Sequence, residues 1–189
     1  MAVEARAIDP SSLEVRITTM RRRHLRSVLR IENQVYPRPW SLGLFMSELA
    51  LRTSRAYLVA RVGPVVVGYA GLLMTDTDGH VTTIAVDPAW HRCGIGTRLL
   101  LHLSREALGM GATALTLEVR VGNDAAKGMY RSFGYSPAGI RKGYYIETNE
   151  DALVMWVHDV DGDEYRARLA AIEAAIPGST VVDLGGTHG

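Results

Sequence analysis

At 189 residues, 47% apolar and 22% charged, the chain has the composition of a globular domain long enough to bury one substantial core. A formal net charge of +1 gives no reason to invoke a nucleic-acid or membrane surface, and the single cysteine, Cys93, excludes an internal disulfide. No Cys/His spacing resembles a metal site and no run of about 18 apolar residues occurs, so the expectation is a metal-free cytoplasmic protein without a membrane span.

Residues 1–12 are polar, lack the apolar stretch of a signal peptide and read as a flexible leader. Leu13-Glu14-Val15-Arg16-Ile17 alternates as a first strand. Arg21, Arg22, Arg23, Arg26 and Arg30 form one basic cluster, read as a solvated helix face. Leu25, Val28, Leu29 and Val35 then lie on a helical stripe ending before Pro37, and a second helix carrying Leu42, Leu44, Phe45, Leu49 and Leu51 starts after a Ser41 cap. Between them Tyr36-Pro37-Arg38-Pro39-Trp40 makes a stiff loop.

Ala56–Val62 and Val65–Met74 read as two strands joined by Gly63-Pro64, and Val81–Val86 as a third stopped by Asp87-Pro88. Leu99, Leu100, Leu103 and Leu108 place a helix that ends at Gly109-Met110-Gly111. Ala114–Val119 alternates as a strand, and Asn123 caps a helix carrying Ala126, Met129, Tyr130 and Phe133 before Gly134 stops it. Tyr135–Ile146 and Ala152–Val157 supply two more strands. The order β-α-α-β-β-β-α-β-α-β-β predicts one α/β domain over residues 13–159, a mixed, mostly antiparallel sheet of about seven strands with helices on both faces. Tyr165, Leu169, Ile172 and Ile176 mark an appended helix within 160–189, followed by a flexible glycine-rich tail.

His91-Arg92-Cys93-Gly94-Ile95-Gly96-Thr97-Arg98 stands between a strand and a helix. Such a turn leaves the first helical N–H groups unpaired at the positive end of the dipole, where an anion is favoured. Gly-x-Gly by itself is equally a simple connecting turn; no Gly-Lys-Ser/Thr follows for a Walker loop, and the third glycine of a dinucleotide fingerprint is missing. In Leu115-Thr116-Leu117-Glu118-Val119-Arg120, alternation puts Glu118 opposite the leucine face, either toward a cleft at the strand end or simply in solvent beside an arginine. Tyr130 lies two helical turns after Asn123 and suits either core packing or proton donation. His80, His91 and His102 read as structural or exposed.

Taken jointly, Ile84-Ala85-Val86-Asp87-Pro88, Arg92-Cys93-Gly94-Ile95-Gly96, Leu117-Glu118-Val119-Arg120 and Asn123 through Tyr130 to Phe133-Gly134-Tyr135 resemble the GNAT acetyltransferase superfamily, and within it the RimI-type protein N-terminal acetyltransferases. The resemblance runs from about Leu13 to His158. It implies acetyl-CoA as donor, its pantetheine arm along Ile84, Ala85 and Val86, its pyrophosphate on the amides of Arg92, Cys93, Gly94, Ile95, Gly96 and Thr97, and Asn123 helping to hold the arm. It further implies Glu118 as general base and Tyr130 as general acid in direct transfer to an amine, with no metal and with Cys93 as no nucleophile. His91 stands where the family often carries Gln or Arg, so a side-chain contribution to phosphate binding is not implied there.

Tyr36-Pro37-Arg38-Pro39-Trp40 and Arg141-Lys142-Gly143-Tyr144-Tyr145 resemble the two walls of a peptide entrance, which implies Tyr36, Pro37, Tyr144 and Tyr145 as acceptor contacts and Trp40 as the loop anchor. The implied acceptor is a protein or peptide N-terminus, a small-subunit ribosomal protein for a RimI-type enzyme, and the expected state is a monomer or weak dimer without direct nucleic-acid contact. A small-molecule amine as acceptor, or a non-catalytic acyl-CoA-binding module, are the alternative expectations on the same fold.

Overall fold

The computed structural model describes residues 8–185, so residues 1–7 of the predicted leader lie outside the described residues. In chain order come β1 (Glu14–Thr19), α1 (Leu25–Val35), α2 (Leu42–Ala50), β2 (Arg55–Val62), β3 (Val65–Thr75), β4 (Asp78–Val86) and α3 (Ile95–Gly109). There follow β5 (Ala114–Arg120), α4 (Asp124–Ser132), β6 (Ser136–Tyr145), β7 (Glu150–His158), α5 (Asp163–Ala175) and β8 (Ser179–Asp183). The strands form one sheet in the order β6-β7-β5-β4-β3-β2-β1-β8. Among the described residues only β4–β5 and β1–β8 pair in parallel.

The local signals act where the chemistry requires. Ser41 Oγ accepts from Leu44 N at 3.2 Å and Asn123 Oδ1 from Ala126 N at 3.1 Å, each satisfying one orphan amide of the helix it opens. Alternation along β4 buries Val81, Thr83 and Ala85 and leaves His80, Thr82, Ile84 and Val86 half-exposed. Two cores result, one on each side of the sheet. Met20, Val28, Ile31, Phe45, Val59 and Tyr69 pack under α1 and α2. Leu99, Leu103, Leu117, Tyr130, Phe133 and Leu169 pack on the other side with α3, α4 and α5.

Two segments read as loose are ordered. Pro10–Ser12 forms a 3-10 turn capped by Asp9, whose Oδ1 accepts from Ser11 N at 2.9 Å. The glycine-rich end contains an eighth strand: Val181 pairs with Arg16 and Asp183 with Thr18, parallel to β1. Ser-Thr-Val-Val is a short β-branched run, and the flanking glycines masked it; Gly178 at φ +80° makes the turn that brings it against Leu13.

The basic cluster also divides. Arg30 leaves it, bonding Asp87 Oδ2 at 2.7 Å and the Val66 carbonyl at 3.3 Å. Arg22 and Arg23 lie in a 3-10 turn ahead of α1, not on its solvated face.

Candidate active site

The parallel β4–β5 ladder runs from Asp78↔Ala114 to Val81↔Leu117 and stops. Beyond that point the strands part, so Thr82–Val86 have no strand partner on the β5 side while β3 stays paired to them on the other. Backbone parity decides which groups face the opening. Asp87 N donates to Val67 O at 2.9 Å, which sets Ala85 toward β3 and Ile84 and Val86 toward the cleft. Of the three residues implied for the pantetheine arm, Ile84 and Val86 therefore carry the available backbone groups, and the Ala85 backbone is turned to β3.

Two side chains already reach this edge. Tyr36 Oη donates to Ile84 O at 2.8 Å, and the His91 ring, 3.2 Å from Val86 O, donates through Nε2 because a carbonyl only accepts. His91 thus serves the strand edge.

At the end of β4, α3 begins inside the glycine motif. The first amide of the turn with an acceptor is that of Arg98, on Gly94 O at 3.1 Å; among the described residues the amides of Arg92, Cys93, Gly94, Ile95, Gly96 and Thr97 have none. Gly94 sits at φ +71°, and a Cβ there would stand 3.0 Å from an Arg98 guanidinium nitrogen, so both its dihedral and its space call for glycine. Arg92 takes a positive φ of 61° beside it. A row of free amides at a helix start fits a diphosphate. Cys93 is buried, with its Sγ 3.5 Å from the His91 carbonyl, which suits packing.

The cradle is held from behind by a side chain that the motif analysis left unassigned. Arg98 is fully buried, its Nε donating to Thr180 Oγ1 at 2.9 Å, one terminal nitrogen to Cys93 O at 3.1 Å and the other to Pro177 O. Burial lowers its pKa, and oxygen acceptors on three sides replace the lost hydration.

Glu118 lies just past the fork. Its Oε2 is 2.5 Å from His80 Nε2 and its Oε1 3.5 Å from an Arg141 nitrogen, with 11% of the side chain exposed. The His80 hydrogen bond, against the cost of burial, holds the carboxyl below its ordinary range, with His80 and Arg141 charges adding to the effect. An ionised carboxylate only accepts, so His80 Nε2 carries the proton. His80 was read as structural or exposed. Its role follows from register: His80 pairs with Thr116, and two residues further on the same face of β5 stands Glu118.

Tyr144 and Tyr145 lie within electrostatic reach of this carboxylate, and Tyr130 within reach of Tyr36 and Tyr145. Tyr130 is 5% exposed, its ring 5.8 Å from that of Tyr135, and burial first, then the neighbouring Tyr36 and Tyr145, push its pKa up. Tyr145 is pushed up to about 12, chiefly by burial. Arg120, on the same face of β5 as Glu118, stacks 3.9 Å above the Tyr145 ring and bonds Glu147 at 2.9 Å, Glu150 at 3.1 Å and Thr148 at 2.6 Å, pinning the β6–β7 hairpin. Tyr144 meets the Tyr145 ring edge-on at 5.1 Å and is 43% exposed.

On the opposite wall buried Glu32 fixes the aromatic loop. It accepts from Trp40 N at 2.8 Å and from the Tyr69 hydroxyl, while Trp40 packs on Phe45 at 5.3 Å. Trp40 is thereby the anchor and Pro37 is exposed at the loop tip. Asn123 has committed Oδ1 to capping α4, which leaves its side-chain NH₂ as the group for a ligand.

Among the described residues no group of His, Cys, Asp and Glu could hold a metal ion, and no helix is long and apolar enough to cross a membrane.

Residues 25–135 match the Acetyltransferase (GNAT) family. The N-alpha-acetyltransferase RimI of Mycobacterium tuberculosis is 41% identical over 121 residues, 62% of this chain and 74% of that protein. The ribosomal protein bS18-alanine N-acetyltransferase of Escherichia coli K12 is 33% identical over 141 residues, 74% of this chain and 94% of that protein. The crystal structure of the Escherichia coli ribosomal-protein-S18-alanine N-acetyltransferase superposes with a TM-score of 0.70 at 31% identity, covering 77% of this chain and 94% of the other. With the family match spanning more than half of its length, over a sheet that forks between β4 and β5 above a glycine turn, this chain belongs to the GNAT acetyltransferase family.

Proposed function

We propose that the protein is an N-α-acetyltransferase that moves acetyl from acetyl-CoA to the free α-amino group of a protein N-terminus, with ribosomal protein bS18 as the acceptor suggested by its relatives. The observation that carries the reading is the Glu118 carboxyl, held by His80 Nε2 at 2.5 Å where β4 and β5 part. The arm of the donor adds to the β4 edge through the Ile84 and Val86 backbone, and its pyrophosphate rests on the Arg92–Thr97 amides. Pairing at Ile84 requires its carbonyl to share or give up the Tyr36 hydroxyl, which couples donor binding to the acceptor wall.

An α-ammonium loses its proton near pH 8, so most of the acceptor is unreactive at neutrality. In the proposed step the neutral amine attacks the thioester carbonyl, its surplus proton passes to Glu118 directly or through one water, the C–N bond forms and the C–S bond breaks. Tyr130 gives its proton to the departing thiolate. Burial keeps that phenol protonated, and the same dry surroundings raise the proton affinity of the sulfur. Tyr36 and Pro37 on one side and Tyr144 and Tyr145 on the other line the peptide entrance. A rim strand exposed along its length, β6, supports a polypeptide acceptor over a small amine in a closed pocket.

The test is incubation with acetyl-CoA and a panel of peptides carrying free N-termini, acetate being located by fragmentation mass spectrometry. Label on the α-amine is expected; label confined to lysine side chains, or to small amines only, overturns the reading. Tyr130→Phe is expected to lower turnover by about tenfold to a hundredfold with CoA affinity within about twofold, and unchanged turnover removes the acid assignment.

His80→Gln separates positioning from chemistry. Loss of the hydrogen bond that lowers the Glu118 pKa must raise that pKa, so the break that Glu118 sets in the kcat/KM–pH profile, at lower pH than the limb set by the acceptor amine, is expected to move toward higher pH. A profile that falls in height without shifting would mean that His80 does not tune the base.

A further inference from the structure

At the far edge of the sheet β1, β2 and β8 enclose a cleft of about 330 Å³ whose lining includes Arg16, Arg21, Arg23, Arg61, Thr18 and Asp183. Four guanidiniums face one carboxylate there, a local charge of +3 on a chain whose formal total is +1. None of the four arginines forms an ion pair among the described residues. Arg16 and Arg61 stand directly opposite one another on antiparallel strands, an arrangement that repels. Thr18 is 8% exposed, and its buried hydroxyl has no hydrogen-bond partner among the described residues. A fold that sets like charges face to face beside an unsatisfied hydroxyl has left a place for an anion with several oxygens.

We propose that this cleft binds a phosphate-bearing polyanion, with Arg16 and Arg61 bracketing one phosphate, Thr18 donating its hydroxyl hydrogen, and Arg21 and Arg23 meeting the next. Guanidinium forks match phosphate oxygens, and a cleft with the liquid volume of about ten waters has room for more than one phosphate. His24, buried beside the arginines, is pushed below its ordinary pKa by burial first and then by the charges of Arg23, Arg61 and Arg21. The cleft is separate from the donor edge, because β3 lies between β4 and the nearest strand of the cleft, β2, about 10 Å at ordinary strand spacing. The overall charge balance conceals this site.

Closely spaced phosphates occur both in free polyphosphates and along a single nucleic-acid strand, and two titrations distinguish them. The full chain is titrated at about 50 mM salt with tripolyphosphate by calorimetry and with a fluorescent single-stranded oligouridine by anisotropy. Saturable tripolyphosphate binding is expected, weakened at least about tenfold in Arg16→Gln/Arg61→Gln with peptide acetylation unchanged. RNA binding that tripolyphosphate displaces assigns the site to a nucleic-acid strand, and its log–log salt slope becomes shallower by about 1.4 in the double variant. Tripolyphosphate binding without RNA binding assigns it to a free polyphosphate. Thr18→Val is the companion variant: it is expected to raise Tm without ligand while weakening tripolyphosphate several-fold. No saturable binding of either probe, or equal binding by the parent and both variants, overturns the proposal.

Discussion

Glu118→Gln is expected to lower kcat/KM for peptide acetylation at pH 7 by about a hundredfold or more while acetyl-CoA affinity stays within about twofold. The substitution is nearly isosteric, and a glutamine carbonyl still accepts from His80 Nε2, so the fork between β4 and β5 keeps its shape. What disappears is the site that receives the ammonium proton. Because His80 and Arg141 hold the parent carboxyl below the ordinary range, it stays ionised through neutrality. The rise of kcat/KM between pH 6 and 8 should then follow the acceptor amine, with its pKa of about 8, and not Glu118. Chemical deprotonation of the amine at alkaline pH should recover part of the lost rate in the variant. A Glu118→Gln enzyme with parental turnover at pH 7 would end the general-base reading.

The same ion has a stability signature of known sign. A carboxyl whose folded pKa is depressed contributes stability that is present above its unfolded value of about 4.3 and lost as pH falls through the folded one. Urea midpoints for Glu118→Gln should accordingly converge on those of the parent as pH drops below about 4.

Arg98→Ala is expected to destabilise the fold by about 3–5 kcal/mol, because it removes a charged group's hydrogen bonds and leaves the Cys93 and Pro177 carbonyls and the Thr180 hydroxyl without their donor in a dry interior. For a domain of this size each kcal/mol moves Tm by about 2–4 °C, so the melting temperature should fall by roughly 10 °C. Arg98→Lys should recover little, since one ammonium cannot reproduce a planar fork aimed in three directions. CoA affinity should drop along with stability if the proposed amide cradle includes Cys93, whose carbonyl Arg98 holds. Calorimetric melting and CoA titration of the two variants check both parts. A Tm within 2 °C of the parent would show that the three acceptors find other donors.

The sequence made much of the frame legible, for reasons visible residue by residue. Ser41 and Asn123 cap the helices they precede, Gly63-Pro64 joins β2 and β3, and alternation along β5 sets Glu118 apart from Leu115 and Leu117. Illegible were the pairings made across the sheet. His80 and Glu118 are 38 residues apart and meet only through the parallel β4–β5 register, and Arg98 meets Thr180 across 82 residues. Composition misled at two places, the glycine-bounded Thr180-Val181-Val182 and the arginines around residues 16–23, where local order and local charge were averaged away. Parity on β4 could have separated Ala85 from Ile84 and Val86 once β3 was placed beside it, but not from the motif alone.

The seating of β8 on β1 also sets an order of events during synthesis. Of the eight strands among the described residues it is made after the other seven, yet its Thr180 and the preceding Pro177 supply two of the three oxygens that receive the Arg98 guanidinium. A nascent chain stalled before residue 177 carries that cation without those acceptors, and the glycine turn beside it lacks its brace. Completion of the Arg98 hydrogen-bond set is therefore tied to passage of the β8 segment out of the ribosomal exit tunnel.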